Sequence, residues 1–224
     1  MAMPSPGLVI FDCDGVLVDS EPISLEVMLE VLAQAGCTLD PEEGYAHLLG
    51  KSLGSIGAWL RAEHGLDLTD AHLTALRARL FDRFRQSLKP ISGVAEAIRA
   101  MPGKVCVASS SQPDRIRFSL GLTGLLDLFE PHIFSASMVD RGKPAPDLFL
   151  HAAQEMGVDP GDCVVIEDSP AGIEAAQAAG MQVIGFVGGG HAGPAGLVKR
   201  VANRAPSAII SSMEDLPALL GAGH

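Results

Sequence analysis

Leu8-Val9-Ile10-Phe11-Asp12-Cys13-Asp14-Gly15-Val16-Leu17-Val18-Asp19-Ser20 decides how the rest of the chain is read. Four apolar residues lead into a strand that ends in two carboxylates two positions apart, followed at once by glycine. In an extended segment i and i+2 point to the same side, so Asp12 and Asp14 face one cavity, about 6–7 Å apart along the backbone. Two such anions repel unless a divalent metal, or a proton on one of them, offsets the charge. Gly15 has no Cβ and lets the chain turn sharply without blocking that cavity. Asp-Gly also serves in ordinary turns, so the stretch taken alone leaves a ligand site and a simple turn both open.

The 224 residues suffice for one α/β domain, or for a core carrying a smaller insertion, around a substantial apolar centre. A hydrophobic share of 47% and a mean hydropathy of +0.27 exclude a disordered chain. The formal charge of -11 argues against a nucleic-acid binder, whose phosphate contacts need basic patches. A phosphorylated metabolite stays admissible, because one lysine and a metal can reverse the field inside a cleft. Cys13, Cys37, Cys106 and Cys163 are scattered, and three lie in or beside apolar runs, as expected of buried free thiols in a reducing compartment. Neither a signal peptide nor a run of about 18 apolar residues is present, so the expectation is a cytoplasmic protein without a membrane partner.

After Ser20 the pattern turns helical: Pro22 to Ala35, Pro41 to Leu49, Ser52 to His64 and Thr69 to Leu88, with no credible strand before Lys89. From Lys104 strands and helices alternate. Strands are expected at Val105 to Ala108, His132 to Ser135, Cys163 to Glu167, Val183 to Phe186 and Ala208 to Ile210. Between them lie helices at Pro113 to Leu120, Pro146 to Met156 and Ala171 to Ala179. Near-continuous apolar strands alternating with helices indicate a parallel sheet covered on both faces. The first strand belongs to that sheet although the helical module interrupts it. The expected division is therefore a core of residues 1–18 and 90–224 and a helical cap of residues 19–89 mounted over it.

Ligands of open parallel sheets sit at the carboxyl ends of the strands. There the sequence places Asp12 and Asp14, Ser109 to Ser111, Lys143 with its flanking prolines, and Glu167-Asp168-Ser169-Pro170. Each group has an ordinary alternative: Ser109 as a turn or cap, Lys143 as a solvated lysine, Asp168 or Ser169 as the cap of the helix that follows. Four successive strand ends with complementary chemistry argue for a site. The chemistry they can perform is phosphoryl transfer through an aspartate. Mg²⁺ takes hard oxygen ligands from a few carboxylates and the substrate. Asp12 can then attack phosphorus, Asp14 can protonate the leaving alkoxide and later activate water, and Asp168 can hold the metal, with Glu167 as a ligand or a support. Ser109 and Lys143 suit the equatorial phosphate oxygens.

The run from Asp12 to Ser20, with Ser109, Lys143-Pro144-Ala145-Pro146-Asp147 and Glu167-Asp168-Ser169-Pro170-Ala171-Gly172, resembles the haloacid dehalogenase-like (HAD) hydrolase superfamily. It is most similar to the branch of β-phosphoglucomutase, phosphoglycolate phosphatase and the small sugar-phosphate phosphatases. The resemblance implies an α/β fold, a Rossmann-like parallel core of strand order 5-4-1-2-3 with an inserted all-helical cap, Mg²⁺, and an aspartyl-phosphate mechanism. It implies Asp12 as nucleophile, Asp14 as acid and base, Ser109 and Lys143 as phosphate binders, and Asp12, Asp168 and Asp14, the last through its backbone carbonyl, around the metal.

Two departures narrow this. Dehalogenases of the superfamily lack the second aspartate, which a departing halide does not need; Asp14 is present here. The mutase carries a cap arginine for a distal phosphate, and the matching stretch reads Leu49-Gly50-Lys51-Ser52-Leu53, with leucine at that position. The expectation is a phosphatase for a small sugar, polyol or similar phosphate, with a phosphosugar mutase as the alternative and Lys51 as its substitute anion site. A signalling domain that merely holds a phosphoaspartate would need no cap and no Asp14. Ser24, His47, Lys51, Trp59 and Arg83 are the cap residues that can face the core, His47 and Lys51 being the candidates for substrate contact. A monomer or weak dimer is expected, and the glycine-rich segment Val187 to Pro194 fits either an active-site rim or a neutral loop.

Overall fold

The computed structural model describes residues 5–221 apart from 52 and 102. Six parallel strands, β1 (Leu8–Phe11), β2 (Lys104–Ser109), β3 (Ile133–Ser135), β4 (Cys163–Glu167), β5 (Gln182–Phe186) and β6 (Ala208–Ile210), form one sheet in the order β3-β2-β1-β4-β5-β6. The five-strand order expected from sequence stands as a block, and β6 extends it by pairing with β5. At the centre, β1 runs between β2 and β4 with Leu8 opposite both Lys104 and Cys163.

Alternation along β1 builds two cores. Val9 and Phe11 face one side, packing with Val94, Ile98, Ile116, Leu120 and Leu216. Leu8 and Ile10 face the other, packing with Leu148, Phe149, Ile173, Leu197 and Val201. Each fully buried side chain of this size contributes roughly 1.5–3 kcal/mol, which is why every residue of β1 is apolar and inaccessible.

Four helices separate β1 from β2 in sequence: α1 (Glu21–Gln34), α2 (Pro41–His47), α3 (Leu53–His64) and α4 (Asp70–Ser87). Reciprocal caps start two of them. Asp40 accepts from the Glu43 N–H at 2.8 Å while Glu43 accepts from the Asp40 N–H, and Thr69 pairs with His72 in the same way before α4. Their apolar faces form clusters of their own, around Leu32, Ile56 and Leu60 and around Val27, Leu80 and Phe84. The two chain crossings at their base lie side by side, Asp19 N–H donating to the Lys89 carbonyl (3.0 Å) and Ile91 N–H to the Leu17 carbonyl (2.9 Å). The expected start of α3 at Ser52 lies outside the described residues.

Three helices beyond the sequence expectation cover the sheet: α5 (Val94–Ala100) before β2, α9 (Leu197–Ala202) after β5 and α10 (Leu216–Leu219) at the end. They have only two turns or fewer, too short for a periodic signal, and they form because their few apolar residues dock on the sheet. The remaining helices are α6 (Pro113–Leu122), α7 (Asp147–Met156) and α8 (Pro170–Ala178). All four cysteines are buried free thiols. No helix among the described residues is long and apolar enough to cross a membrane.

Candidate active site

Every expected core residue of the site arrives at the carboxyl edge of the sheet. Asp12 follows β1, its N–H donating to the Ile166 carbonyl of β4 at 3.0 Å. Beyond it the chain curls, with Leu17 and Val18 N–H groups both returning to the Cys13 carbonyl and Gly15 at φ +81°. A Cβ at Gly15 would lie 1.9 Å from Asp168 Oδ2, so the turn needs glycine both for its left-handed backbone and for room beside that carboxylate.

Lys143 is the hub. Its ammonium, 4% exposed, donates to Asp12 Oδ1 (2.6 Å), Glu167 Oε1 (2.8 Å) and the Ala108 carbonyl (3.0 Å), which uses all three of its protons. Burial would discharge it, but Asp12 and Glu167 more than offset this and raise its pKa above that of an ordinary lysine. The other oxygen of Glu167 accepts from the Ser169 N–H (2.7 Å) and hydroxyl (2.9 Å), and its carboxylate lies flat on Gly172, where a Cβ would come within 1.7 Å. Glu167 is thus spoken for by protein donors and fixes Lys143. Ser169 Oγ in turn accepts from the Gly172 N–H (3.0 Å) as the cap of α8, which leaves Asp168 free to face the cavity. Ser109 is buried at the end of β2, its hydroxyl accepting from the Ser111 N–H at 3.1 Å.

Asp14 sits in a different environment. Its Oδ1 accepts from the Ser20 hydroxyl (2.6 Å) and Arg115 Nη2 (2.9 Å), and its Oδ2 from the Ser111 hydroxyl (2.6 Å). Burial pushes its pKa up, but Arg115 and the two hydroxyls outweigh that and leave it below the usual carboxylate value. Asp12 goes the other way: burial, with Glu167 and Asp168 nearby, raises it well above the usual value despite Lys143. Asp168 is likewise raised by burial and by Glu167. Two aspartates two residues apart thus sit among different partners, Asp12 beside Lys143 and two further carboxylates, Asp14 beside Arg115 and two hydroxyls.

These groups open into a cavity of about 780 Å³ between the sheet edge and the inserted helices, lined on the core side by Asp12, Asp14, Ser109, Lys143, Glu167 and Asp168. The inserted segment contributes Ser24, Lys51 from the connection between α2 and α3, and a wall of leucines that includes Leu53. His47, a candidate for substrate contact, is not in that lining. Its ring stacks on Trp59 of α3 at 4.4 Å between centroids. Arg83 is also spent elsewhere, on Glu26 and Glu30 of α1.

Ser111 and Ser20 entered the sequence reading only as parts of longer runs and Arg115 not at all, although one signal existed for it. Arg115 lies in the first turn of α6, where the helix dipole disfavours a cation, and such a misplaced charge invites a functional reading. Its guanidinium also lies 5.5 Å from the Phe84 ring of α4, which ties the grip on Asp14 to the inserted helices. His191 is a further surprise: the loop after β5 carries it, almost fully buried, to 3.1 Å from Asp168.

Among the described residues no three His, Cys, Asp or Glu side chains form a ready metal cage. The donor set nonetheless fits Mg²⁺, which is bound through one or two carboxylates plus water and substrate oxygens. Asp12 and Asp168 supply two buried carboxylates that line the same cavity.

A family model for haloacid dehalogenase-like hydrolases matches residues 6–180, from before β1 to the end of α8. The chain belongs to that family. It is 36% identical over 190 residues to a 6-phosphogluconate phosphatase of Escherichia coli K12, covering 83% of this chain and 85% of that one. A fructose-1-phosphate phosphatase of the same organism is 32% identical over 188 residues, covering 79% and 94%. The crystal structure of a HAD family hydrolase from Deinococcus radiodurans with bound phosphate and sodium superposes with a TM-score of 0.79 at 35% identity, over 98% of this chain and 97% of that one. The HAD chain described here is accordingly an enzyme, a phosphatase of this family.

Proposed function

We propose that the enzyme hydrolyses a small phosphomonoester, a sugar, polyol or similar metabolite phosphate, in a Mg²⁺-dependent reaction through an aspartyl phosphate. The observation that carries this reading is the separation of two aspartates by environment: Asp12 bonded to Lys143 beside Asp168, and Asp14 held apart by Ser20, Ser111 and Arg115. An Asp12 oxygen attacks phosphorus and the ester P–O bond breaks, its electron pair leaving with the alkoxide, which takes a proton from Asp14. Asp14 then removes a proton from water as that water attacks the same phosphorus, and the acyl-phosphate P–O bond breaks to return Asp12 and release inorganic phosphate. The first half needs a proton on Asp14, so Arg115 must release Oδ1 as substrate enters. Asp12, Asp168 and the Asp14 carbonyl would hold Mg²⁺, which would supply charge neutralisation for the anionic phosphoryl group. Ser109 holds one equatorial oxygen through its hydroxyl proton, and Lys143 reaches another by turning toward it the proton that now points at Asp12.

Residues 19–89 act as the cap and residues 1–18 and 90–224 as the core, the cap enclosing the leaving group and excluding water. The resemblance to phosphatases of phosphorylated sugars supports a small metabolite as substrate. Leu53, half exposed in the cavity wall, offers no charge-assisted contact to a second phosphate, which favours water over a sugar hydroxyl as acceptor. The enzyme works in the cytoplasm as a monomer or weak dimer, without nucleic acid or membrane. The test is turnover of p-nitrophenyl phosphate and of a panel of sugar and polyol phosphates, with Mg²⁺, with EDTA, and with Asp12→Asn. Activity is expected only in the wild type with metal; full turnover in either control would sink the assignment.

A further inference from the structure

We propose that His191 is a positioning residue for the metal-binding carboxylate of Asp168, and that the run Gly188-Gly189-Gly190-His191 is built to hold its imidazole there. The inference rests on the metal-dependent reading above. Nothing in the motifs of the family resemblance includes this loop, which lies beyond the matched residues 6–180.

His191 Nε2 lies 3.1 Å from Asp168 Oδ2, with the imidazole almost wholly buried. A carboxylate that binds a cation only accepts, so the Nε2 that faces it at this distance must carry the proton. The imidazole thereby bears on one Asp168 oxygen. A ligand whose orientation is set in advance loses less freedom when the metal arrives. His191 Nδ1 is buried with no partner among the described residues, so the ring is not kept by a second hydrogen bond. What keeps it is contact with two glycines. A Cβ at Gly189 would fall 2.8 Å from His191 Cε1, and a Cβ at Gly15 would fall 3.0 Å from the same atom. The imidazole therefore fills a slot between the loop after β5 and the turn that carries Asp12 and Asp14.

The loop itself is anchored at two points, Val187 N–H donating to the Ile210 carbonyl of β6 (2.9 Å) and Gly190 N–H to Asp19 Oδ1 (2.9 Å), and it closes on itself through Ala195 N–H to the His191 carbonyl (2.9 Å). Gly188 and Gly190 are also places where a side chain would collide, with the Ser211 carbonyl at 2.2 Å and with Asp19 Oδ2 at 2.8 Å. Three consecutive glycines thus each have a packing reason, and the residue they deliver is the one that touches Asp168. A loose rim would need none of these contacts.

The readout is metal binding rather than turnover. Mn²⁺ is titrated into the apo chain and free Mn²⁺ is followed by electron paramagnetic resonance, for wild type, His191→Ala, His191→Gln and Gly189→Ala, with urea unfolding in EDTA as a check of folding. His191→Ala is expected to raise the Mn²⁺ Kd about tenfold or more, the range typical of losing a partner that orients a metal ligand. His191→Gln, whose amide nitrogen reaches the place of Nε2, should recover most of that affinity. Gly189→Ala, which keeps the imidazole but pushes on it, should weaken binding as well and serves as the test if His191→Ala does not fold. Unchanged affinity in the folded variants overturns the proposal, and so does a folded His191→Gln chain as weak as His191→Ala, since the ring would then serve only as packing. A wild type that binds no Mn²⁺ would overturn the metal-dependent reading instead.

Discussion

Lys143→Met is the perturbation that exposes most of the site's energetics. The side chain is replaced by one of similar length that cannot donate, which leaves Asp12 Oδ1, Glu167 Oε1 and the Ala108 carbonyl without their shared cation in a buried place. Breaking a buried ion pair by removing one partner costs roughly 3–5 kcal/mol, most of it the cost of stranding the other charge. For a chain of this size each kcal/mol lowers Tm by about 2–4 °C, so a fall of roughly 6–20 °C is expected in EDTA at pH 8. The deficit must depend on pH. Asp12 already has a raised pKa, first from burial and then from its acidic neighbours, and loss of Lys143 raises it further. A carboxyl whose folded pKa exceeds its unfolded one binds an extra proton in the fold, so its stability contribution falls as pH rises from about 4 upward through the raised value. The variant should therefore approach the wild type at pH 5 and fall furthest behind it at pH 8, and Mg²⁺ should restore part of the difference at pH 8. Equilibrium urea unfolding of both chains at pH 5 and pH 8, with and without Mg²⁺, measures this. A loss below about 1 kcal/mol at pH 8, or one equal at both pH values, would refute the picture of Lys143 as the cation that stabilises the acidic cluster.

Two further outcomes are expected. Glu21, at the start of α1 and in the wall of the cavity, has its pKa raised to about 8, first by burial and then by Asp14 and Asp168. The fold thus holds an extra proton between the unfolded value near 4.5 and about 8, and stability declines across that window. Glu21→Gln should remove the decline, its margin over wild type growing from nothing at pH 4.5 to roughly 4–5 kcal/mol at most at pH 8.5 in EDTA; a difference that does not grow with pH would count against it. With β-glucose 1-phosphate and a trace of glucose 1,6-bisphosphate, inorganic phosphate should far exceed glucose 6-phosphate, because Leu53 cannot replace the cap arginine of a mutase. Glucose 6-phosphate formed many times faster than phosphate would make Lys51 the leading distal anion site.

The apolar run from Leu8 to Phe11, the acidic residues at its end, and the alternation after Lys104 were enough to specify a parallel sheet with its ligand edge, because strand patterning and strand-end chemistry are local in sequence. Lys143 and Asp168 were legible for the same reason: each lies in a loop leaving the carboxyl edge of a strand, and the topology of a parallel sheet brings such loops together. Tertiary packing alone decided the rest. Asp14 differs from Asp12 only because Arg115, Ser111 and Ser20 close on it, and residues 14 and 115 meet through the docking of α6 beside Phe84 of α4. His47 and Lys51 were indistinguishable candidates until the stacking of His47 on Trp59 turned it away and left Lys51 in the cavity wall. The glycine run before His191 read equally well as a rim or a neutral loop, since what each glycine makes room for, the Ser211 carbonyl, the imidazole and Asp19, lies on segments brought beside it only when the sheet and its loops pack. Residue type and spacing carry the chemistry that a strand end can offer, whereas the partner that tunes each carboxylate is chosen by contacts between distant segments, which no local pattern encodes.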